Sequence, residues 1–265
     1  MQKLPHTKPG KGVSQVFYCC GITNTGAVRD HNEDAFLINH KVTTSSQIED
    51  KVEAPMIAAV ADGVAGESSG EVASRLALVH LSSLKPSPKT DYREKILAIH
   101  QILQRYGINH KTENMQTTLC ALAAESGGKA IMINIGDSRM YLYRGGIIKQ
   151  LSRDQSLVQM LYEQGHITPE QRIHHAKKNI ILPVLGNLSE DPEPQIEEIE
   201  GGLSHGDIIV ICSDGLSDHL TLGEFEDILA QPKRLPLRLS DMIERAISNG
   251  SSDNITVVGV TYLDA

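Results

Sequence analysis

The sequence predicts an α+β fold in which antiparallel strands build sheets and helices pack outside them. Apolar stretches rich in β-branched residues recur along the chain, helical periodicity is confined to separate blocks, and two Gly-Gly pairs join neighbouring apolar stretches. Strands in runs and helices in pairs are typical of α+β layers rather than of a repeated βαβ unit. In a chain of 265 residues we expect two antiparallel sheets to stack face to face.

Seven stretches carry the strand signal, a short apolar run bounded by turn residues. They are residues 16–23, 56–61, 117–124, 130–135, 140–143, 208–212 and 255–262. The pairs Gly127-Gly128 and Gly145-Gly146 join neighbouring runs. Because glycine tolerates the positive φ that tight hairpin turns require, the strands flanking each pair are predicted to be antiparallel neighbours.

Five stretches show the periodicity of amphipathic helices, namely residues 71–84, 92–106, 156–165, 223–230 and 236–248. No internal repeat and no linker rich in Pro, Gly or Ser divides the chain. We therefore expect a flexible N-terminal arm over residues 1–15 and a single domain over residues 16–265. The acidic run at residues 190–200 is expected to form a solvated loop and an edge strand.

Composition and charge exclude several classes of function. With 25 Lys and Arg against 33 Asp and Glu, the net charge is −8, which argues against a nucleic-acid binder and against binding to an anionic membrane. No apolar run approaches the roughly 18–20 residues that span a bilayer. The charged N-terminal residues are followed by no apolar stretch, so a secretory signal is not predicted.

Cysteine usage favours the cytoplasm. The four cysteines show no C-x-x-C spacing, which leaves a zinc knuckle or a thioredoxin-type motif unsupported. Cys120 and Cys212 lie within apolar runs and are expected to be small, buried core residues with reduced thiols.

Carboxylates recur at the ends of the apolar runs. Asp62, Asp137 and Asp214 each follow such a run and lie beside a glycine, while Asp34 and Asp253 precede one. A single Asp-Gly pair indicates only a turn. Several carboxylates crowded together would raise one another's pKa values, and a bound cation relieves their repulsion. Oxygen ligands without a nearby Cys or His cluster favour Mg²⁺ or Mn²⁺ over Zn²⁺.

Two other patterns offer alternatives. Residues 66–70 match the G-x-S-x-G nucleophile elbow of serine hydrolases, which would make Ser68 a nucleophile. The elbow requires its serine directly after the strand, however, whereas residues 62–67 intervene here, so Ser68 is better interpreted as capping the following helix. His174 and His175 lie in a polar stretch without metal-ligand spacing and are interpreted as a surface loop.

Six short segments fall in an order that carries a family resemblance. They are residues 28–34 (VRDHNED), 60–63 (VADG), 136–139 (GDSR), 152–154 (SRD), 213–215 (SDG) and 253–256 (DNIT). With this order and spacing, from about residue 21 to residue 261, the chain resembles the bacterial metal-dependent protein phosphatases of the type 2C (PPM) family. The resemblance implies a four-layer α/β/β/α sandwich, with two central antiparallel sheets flanked by helix pairs.

The resemblance also implies roles for the acids. Asp62 would bridge two divalent cations, Mn²⁺ or Mg²⁺, and Gly63 would offer its backbone carbonyl. Asp214 and Asp253 would ligate one ion. Asp62 and Asp214 are therefore expected to be essential for catalysis.

Other positions complete the implied centre. Glu33 and Asp34 would hold metal-bound waters or complete the second metal site, and Asp137 would help bind a third, weaker ion. Arg29 would grip the substrate phosphate. Residues 155–187 would form a mobile flap beside the site.

The implied activity is hydrolysis of phosphoserine and phosphothreonine monoesters in proteins by a hydroxide that bridges two metal ions. Phosphoproteins, and a Ser/Thr kinase or its substrates, are the expected partners. A serine hydrolase using Ser68 and a non-catalytic binding module on the same fold are the alternatives. The chain departs from the family pattern at Val64, where other members carry a histidine proposed as general acid, and at Gln155, where the usual residue is histidine.

Overall fold

Two six-stranded antiparallel sheets lie at the centre of this computed structural model, which describes residues 15–64, 68–112, 115–126, 128–173, 175–177 and 180–263. From edge to edge, the first sheet contains β4 (Gln47–Glu53), β1 (Val16–Asn24), β12 (Ile255–Leu263), β11 (Ile208–Cys212), β8 (Arg139–Arg144) and β9 (Ile147–Gln150). The second contains β10 (Gln195–Glu198), β7 (Ala130–Ile135), β6 (Leu119–Ala124), β5 (Met56–Ala61), β2 (Ala35–Ile38) and β3 (Lys41–Thr43).

Helices cover the outer face of each sheet. Helices α1 (Ser68–Leu81) and α2 (Tyr92–His110) pack on the second sheet. On the first sheet pack α5 (Asp214–Ser217), α6 (Leu222–Leu229) and α7 (Leu235–Ser248). Two short helices, α3 (Leu157–Glu163) and α4 (Pro169–Ile173), lie in the segment between β9 and β10. The predicted α/β/β/α sandwich is confirmed.

The alternation of side chains along a strand shows how the layers are filled. Along β5, Met56, Ala58 and Val60 point into the core between the sheets, whereas Ile57 and Ala59 point toward α1 and α2. Since both faces of such a central strand are covered, its sequence is apolar throughout instead of alternating. This double burial explains why β5, β7 and β11 were predicted with their observed bounds.

Some predicted elements differ from the observed ones. The first helix spans Ser68–Leu81 instead of residues 71–84, and β6 begins at Leu119, with Thr117 making an isolated bridge to Gly63. Strand β4 was not predicted because most of its side chains are polar and at least partly exposed. The acidic run does supply an edge strand, β10, as expected.

The structure also bears on the predictions about the cysteines, membrane-spanning helices and the N-terminal arm. All four cysteines are buried with free thiols, including Cys120 and Cys212 as expected. Among the helices that the structure describes, none combines the length and the apolar character needed to cross a bilayer. Of the predicted N-terminal arm, residues 1–14 lie outside the described part of the chain.

Candidate metal centre

Four of the strand-end aspartates line one cleft of about 310 Å³. Asp62 and Asp137 follow β5 and β7 of the second sheet, while Asp214 follows β11 and Asp253 precedes β12 of the first. Strands β5 and β7 both run antiparallel to β6, so their carboxyl ends lie at the same end of the sheet. Glu33 also lines the cleft. The sandwich thus brings together acids that are far apart in sequence, from both sheets.

Asp34 and Glu33 supply carboxylate oxygens that lack partners. Asp34 is 1% exposed, and the Ser213 hydroxyl donates a hydrogen bond to its Oδ2 at 2.8 Å. Its Oδ1, and Oε1 of the buried Glu33, have no hydrogen-bond partner among the described residues. A buried polar atom without a partner is costly, and a cation would satisfy it. The residues therefore fit divalent cations with a preference for oxygen ligands.

The pKa values of these acids agree with that interpretation. Burial, with neighbouring carboxylates as a second cause, raises the pKa of Asp214 to about 6 and the pKa values of Asp62 and Asp137 well above their usual range. Burial raises the pKa of Asp34 to about 7, although the nearby hydroxyls of Thr256 and Ser213 oppose the shift. The cluster therefore resists carrying its full negative charge unless positive charge is nearby.

The carboxylates are near one another without converging on one point. In the described ranges, no three His, Cys, Asp or Glu side chains are grouped as a finished metal site. Asp253 directs its Oδ2 to Arg29 at 2.8 Å. Because like charges repel, we expect the carboxylates to turn inward only when a cation draws them together.

Backbone contacts hold Asp62 in place. Its N–H donates to Thr118 Oγ1 at 3.0 Å, and its carbonyl oxygen accepts the N–H of Thr118 at 2.9 Å and the hydroxyl of Thr117 at 2.8 Å. The Thr118 hydroxyl also lies 2.8 Å from that of Ser138. The first residue after β5 is therefore fixed to the start of β6.

Close packing at two glycines sets the shape of the opposite wall. A Cβ on Gly63 would overlap the backbone of Gly70, and a Cβ on Gly70 would lie 2.8 Å from Glu33 Cδ. Only glycine allows backbone segments to approach this closely. The first turn of α1 therefore rests directly on Gly63, whose carbonyl was predicted as a ligand, and against Glu33.

Asn254 is a site residue that sequence reasoning did not single out. Its side-chain amide donates to the carbonyl oxygens of Thr25 at 2.9 Å and His31 at 3.0 Å, and its Oδ1 accepts the N–H of Glu33 at 2.8 Å. Asn254 is 5% exposed. It therefore fixes the loop that carries Arg29. Its place in the segment 253–256, directly after Asp253, was the signal available in the sequence.

Arg29 lines the cleft with its side chain half exposed, and its guanidinium pairs with Asp253. A planar guanidinium can bind two phosphate oxygens at once, so its place at the rim suits a phosphate ligand. Val64 also lines the cleft and is 40% exposed, and it has no proton to donate.

The segment predicted as a flap is tied to the turn that precedes Asp137. Gln155 donates its N–H to the carbonyl of Gly136 at 2.9 Å, and its Oε1 accepts the Gly136 N–H at 3.0 Å. Near the other end of the segment, Leu182 donates its N–H to the Gln155 carbonyl at 2.8 Å. Ile181 lines the metal cleft. The two ends of the segment therefore meet beside the acids.

The structure describes only part of the three other residues that the sequence singled out, Ser68, His174 and His175. Ser68 is the first residue of α1, while its side chain and residues 65–67 lie outside the described part. His174 also lies outside it, and His175 is partly buried in a turn, with its Nδ1 accepting the N–H of Lys177 at 3.1 Å.

Comparison with known proteins gives concordant matches. The family model described as protein phosphatase 2C matches residues 30–242. The serine/threonine phosphatase stp of Listeria welshimeri is 30% identical over 245 residues, covering 89% of this chain and 92% of that protein. The Streptococcus agalactiae serine/threonine phosphatase structure superposes with a TM-score of 0.79 at 27% identity, over 92% of this chain and 99% of that one.

A further solved structure contains metal. The catalytic domain of a serine/threonine protein phosphatase PstP, in complex with two manganese ions, superposes with a TM-score of 0.73 at 29% identity. The match covers 94% of this chain and 100% of that one.

Proposed function

Since the chain belongs to the protein phosphatase 2C family, we propose that it hydrolyses phosphoserine and phosphothreonine monoesters in proteins with the aid of divalent cations. The observation that carries the proposal is that Asp62, Asp137, Asp214 and Asp253, from two sheets, line one cleft with Arg29 at its rim. Neither alternative, a serine hydrolase or a binding module, is favoured by the named relatives.

Different acids would ligate the different cations. Asp62, the Gly63 carbonyl, Asp214 and Asp253, which line the cleft, would ligate them. Glu33 and Asp34, each with a carboxylate oxygen that lacks a partner among the described residues, would complete the second site or hold its waters. A third ion, for which Asp137 is the proposed ligand, is part of the same proposal. When bound, such ions act as Lewis acids and lower the pKa of a coordinated water so that it can attack phosphorus at neutral pH.

Arg29 would bind and orient the phosphate. Its guanidinium lies at the rim of the cleft and donates to Asp253, so a rotation of a solvent-accessible side chain is enough to present its fork to two phosphate oxygens. Positioning of this kind matters because monoester hydrolysis is extremely slow without a catalyst, and most of the acceleration must be electrostatic. In this arrangement Arg29 is a catalytic residue that contacts substrate.

The proposed biological setting follows the same chemistry. The substrates are phosphoproteins, and a Ser/Thr kinase or the targets of such a kinase are the proposed partners. We propose a cytoplasmic location on the basis of four buried, free thiols, which are typical of a reducing compartment.

A phosphopeptide panel tests the function. Peptides carrying phosphothreonine, phosphoserine or phosphotyrosine should be assayed with Mn²⁺ and with EDTA, together with an aryl phosphate. We expect Mn²⁺-dependent release of phosphate from the first two peptides. Activity that is indifferent to EDTA, together with labelling of Ser68 by a fluorophosphonate probe, would instead identify a serine hydrolase. Inactivity on every phosphorylated compound would favour the binding module.

A further inference from the structure

A second cleft adjoins the metal cleft, and a third adjoins the second. A cleft of about 390 Å³ shares Asp137 with the metal cleft. A third cleft, of about 270 Å³, shares Arg139, Asp154 and Arg172 with the second. A depression therefore leads from the metal centre, past Asp137, to the part of the chain that contains α3 and α4. A peptide with its phosphorylated residue at the metals could continue along it.

Arginines line the far end of this depression. Arg139, Arg153 and Arg172 surround the third cleft together with the amides of Gln150 and Gln159. Asp154 is the one carboxylate among its described lining residues. The end of the depression thus differs in charge from the metal cleft, which is lined by carboxylates.

Arg139 is already neutralised. Its guanidinium binds Asp154 through Nε at 2.9 Å and Nη2 at 2.7 Å, and Nη2 also donates to Asp218 at 3.0 Å. Its Nη1 donates to the carbonyl of Ser217 at 3.0 Å. Because two carboxylates pair with this one guanidinium, the positive charge of Arg139 is fully compensated and does not attract an anionic ligand. In the same way, Arg139 compensates the negative charge of Asp154.

Among the residues that the structure describes, Arg172 makes its contacts with neutral side chains, so no carboxylate there compensates its charge. Its Cζ lies 5.3 Å from the centre of the Tyr162 ring, and Nη1 donates to Gln159 Oε1. Stacking on an aromatic ring and a hydrogen bond to an amide orient a guanidinium without cancelling its charge. Arg172 is therefore held in place with full positive charge at the cleft.

Arg153 adds a second cation. Its backbone N–H is fixed by Gln195 Oε1 at 2.8 Å, and its side chain is 63% exposed. Among the described residues its ion-pair partner is Glu163, whose Oε2 lies 3.7 Å from Nη1, an exposed pair of the kind that contributes little energy. An incoming anion can therefore compete with Glu163 for this guanidinium.

We propose that Arg153 and Arg172 form a subsite for an anionic group, a carboxylate or a second phosphate, near the residue that is dephosphorylated in the substrate protein. The inference rests on the proposed function and adds a substrate preference to it. Guanidinium forks match the geometry of both anions. Asp218 and Glu224 line the intervening cleft and disfavour an anion there, so the preference depends on where the anionic residue stands relative to the phosphorylated one.

The test compares peptides that differ in one residue. A phosphothreonine peptide carries Gln, Glu or a non-hydrolysable phosphonate analogue of phosphoserine at successive positions on either side of the phosphothreonine. An aryl phosphate, which cannot reach the subsite, reports on the metal centre alone. We expect the wild-type enzyme to favour the anionic peptides at one set of positions, by about three- to tenfold in kcat/KM and mainly through KM. The size of the effect for Glu against the phosphonate distinguishes the two sources of anion.

Variants test whether Arg153 and Arg172 produce the preference for anionic peptides. Arg153→Gln with Arg172→Gln should reduce the ratio between anionic and neutral peptides to about one, leave aryl phosphate hydrolysis unchanged, and make the ratio insensitive to salt. Arg172→Lys should keep part of the preference, because it keeps the charge but loses the fork. Arg105→Gln, an exposed arginine on α2, is the matched control and should change nothing.

Two results would overturn the inference while leaving the proposed function intact. One is equal kcat/KM for anionic and neutral peptides at every position in an enzyme that hydrolyses the aryl phosphate. The other is a preference that survives in the Arg153→Gln, Arg172→Gln double variant. An enzyme inactive on the aryl phosphate and on all peptides with Mn²⁺ would overturn the proposed function, and this inference with it.

Discussion

The guanidinium of Arg29 donates a hydrogen bond to Asp253 Oδ2 at 2.8 Å, which joins the proposed phosphate-binding residue to a proposed metal ligand. The same carboxylate oxygen cannot serve a cation fully while it accepts this bond. Metal binding would therefore release Arg29 for phosphate, and the two binding events are expected to favour each other. Both side chains are at least 39% exposed, so neither is locked by packing.

Replacing Arg29 with Ala should weaken phosphate binding. Loss of a charge-assisted, two-pronged contact is expected to raise KM for a phosphopeptide by about ten- to hundredfold, with a smaller change in kcat. Arg29→Lys should recover part of the loss. Because removing the guanidinium frees Asp253, the Mn²⁺ concentration needed for half-maximal activity should fall. Steady-state kinetics at varied Mn²⁺ measures both effects, and a normal KM in Arg29→Ala would remove the proposed role.

The Asp62→Asn and Asp214→Asn variants should abolish Mn²⁺-dependent cleavage of an aryl phosphate while the fold persists. In the wild-type protein, Mn²⁺ at about a hundred times its Kd should add about 2.7 kcal/mol of stability, or roughly 5–10 °C in Tm. Asp62→Asn should lose this shift. Asp227→Asn, at an exposed position on α6, is the control and should retain activity and shift. Full activity in Asp62→Asn would refute the assignment of the metal centre.

Stability with chelator present should fall as pH rises. Burial raises the pKa of Asp34 from 3.8 to about 7 and that of Asp214 from 3.8 to about 6. A carboxyl group with a higher pKa in the folded state stabilises that state while it is protonated, and the contribution is lost as pH rises from about 4 to about 7. Thermal unfolding in EDTA across this range measures the effect.

Asp34→Asn supplies the control for the pH experiment. An amide does not ionise, so this variant should show a smaller decline of Tm between pH 4 and pH 7 than the wild-type protein. Mn²⁺ should also reduce the decline, because a cation favours the ionised carboxylates. A wild-type Tm in EDTA that rises through this range and is unaffected by the substitution would contradict the argument.

Asn254→Ala should affect stability and metal binding together. The substitution removes three hydrogen bonds to the backbone of Thr25, His31 and Glu33, and leaves buried polar groups without partners. We expect a loss of about 2–4 kcal/mol in the free energy of unfolding and about tenfold or more weaker Mn²⁺ binding. Urea unfolding and Mn²⁺ titration measure the two quantities.

Asn249→Ala is the matched control for Asn254. The Asn249 amide makes two hydrogen bonds, to the His219 carbonyl at 2.8 Å and to Glu224 at 3.1 Å, but Asn249 is exposed and is not among the described residues that line the metal cleft. It should lower stability slightly and leave Mn²⁺ affinity unchanged. Equal Mn²⁺ affinity in the wild-type and Asn254→Ala proteins would show that Asn254 has no part in positioning the site.

Central strands were predictable from sequence and peripheral ones were not. Strands β5 and β11 are apolar along their whole length because they are covered on both faces, so their bounds could be read directly. Strand β4, at the edge of its sheet, has mostly polar residues and only Val52 fully buried. Its place depends on pairing with β1, which no local pattern reveals.

In the candidate site, too, some residues could be predicted from the sequence and others could not. Acids beside apolar runs could be found because a strand end and a carboxylate are both visible in one short segment. Asn254 could not be assigned its role, because its partners near residues 25–33 are distant in sequence. The pairing of Arg29 with Asp253 is likewise a product of the folded loops.

The position of β12 has a consequence for synthesis on the ribosome. This strand lies between β1 and β11 in the interior of its sheet, and Asp253 stands directly before it. A growing polypeptide that lacks these residues has its first-made strand β1 without one of its two neighbours and its metal cleft without one wall. Since domains complete folding as units, phosphatase activity should begin only after this strand has left the exit tunnel. A nascent chain that stops short of this strand is therefore expected to be inactive on phosphoproteins.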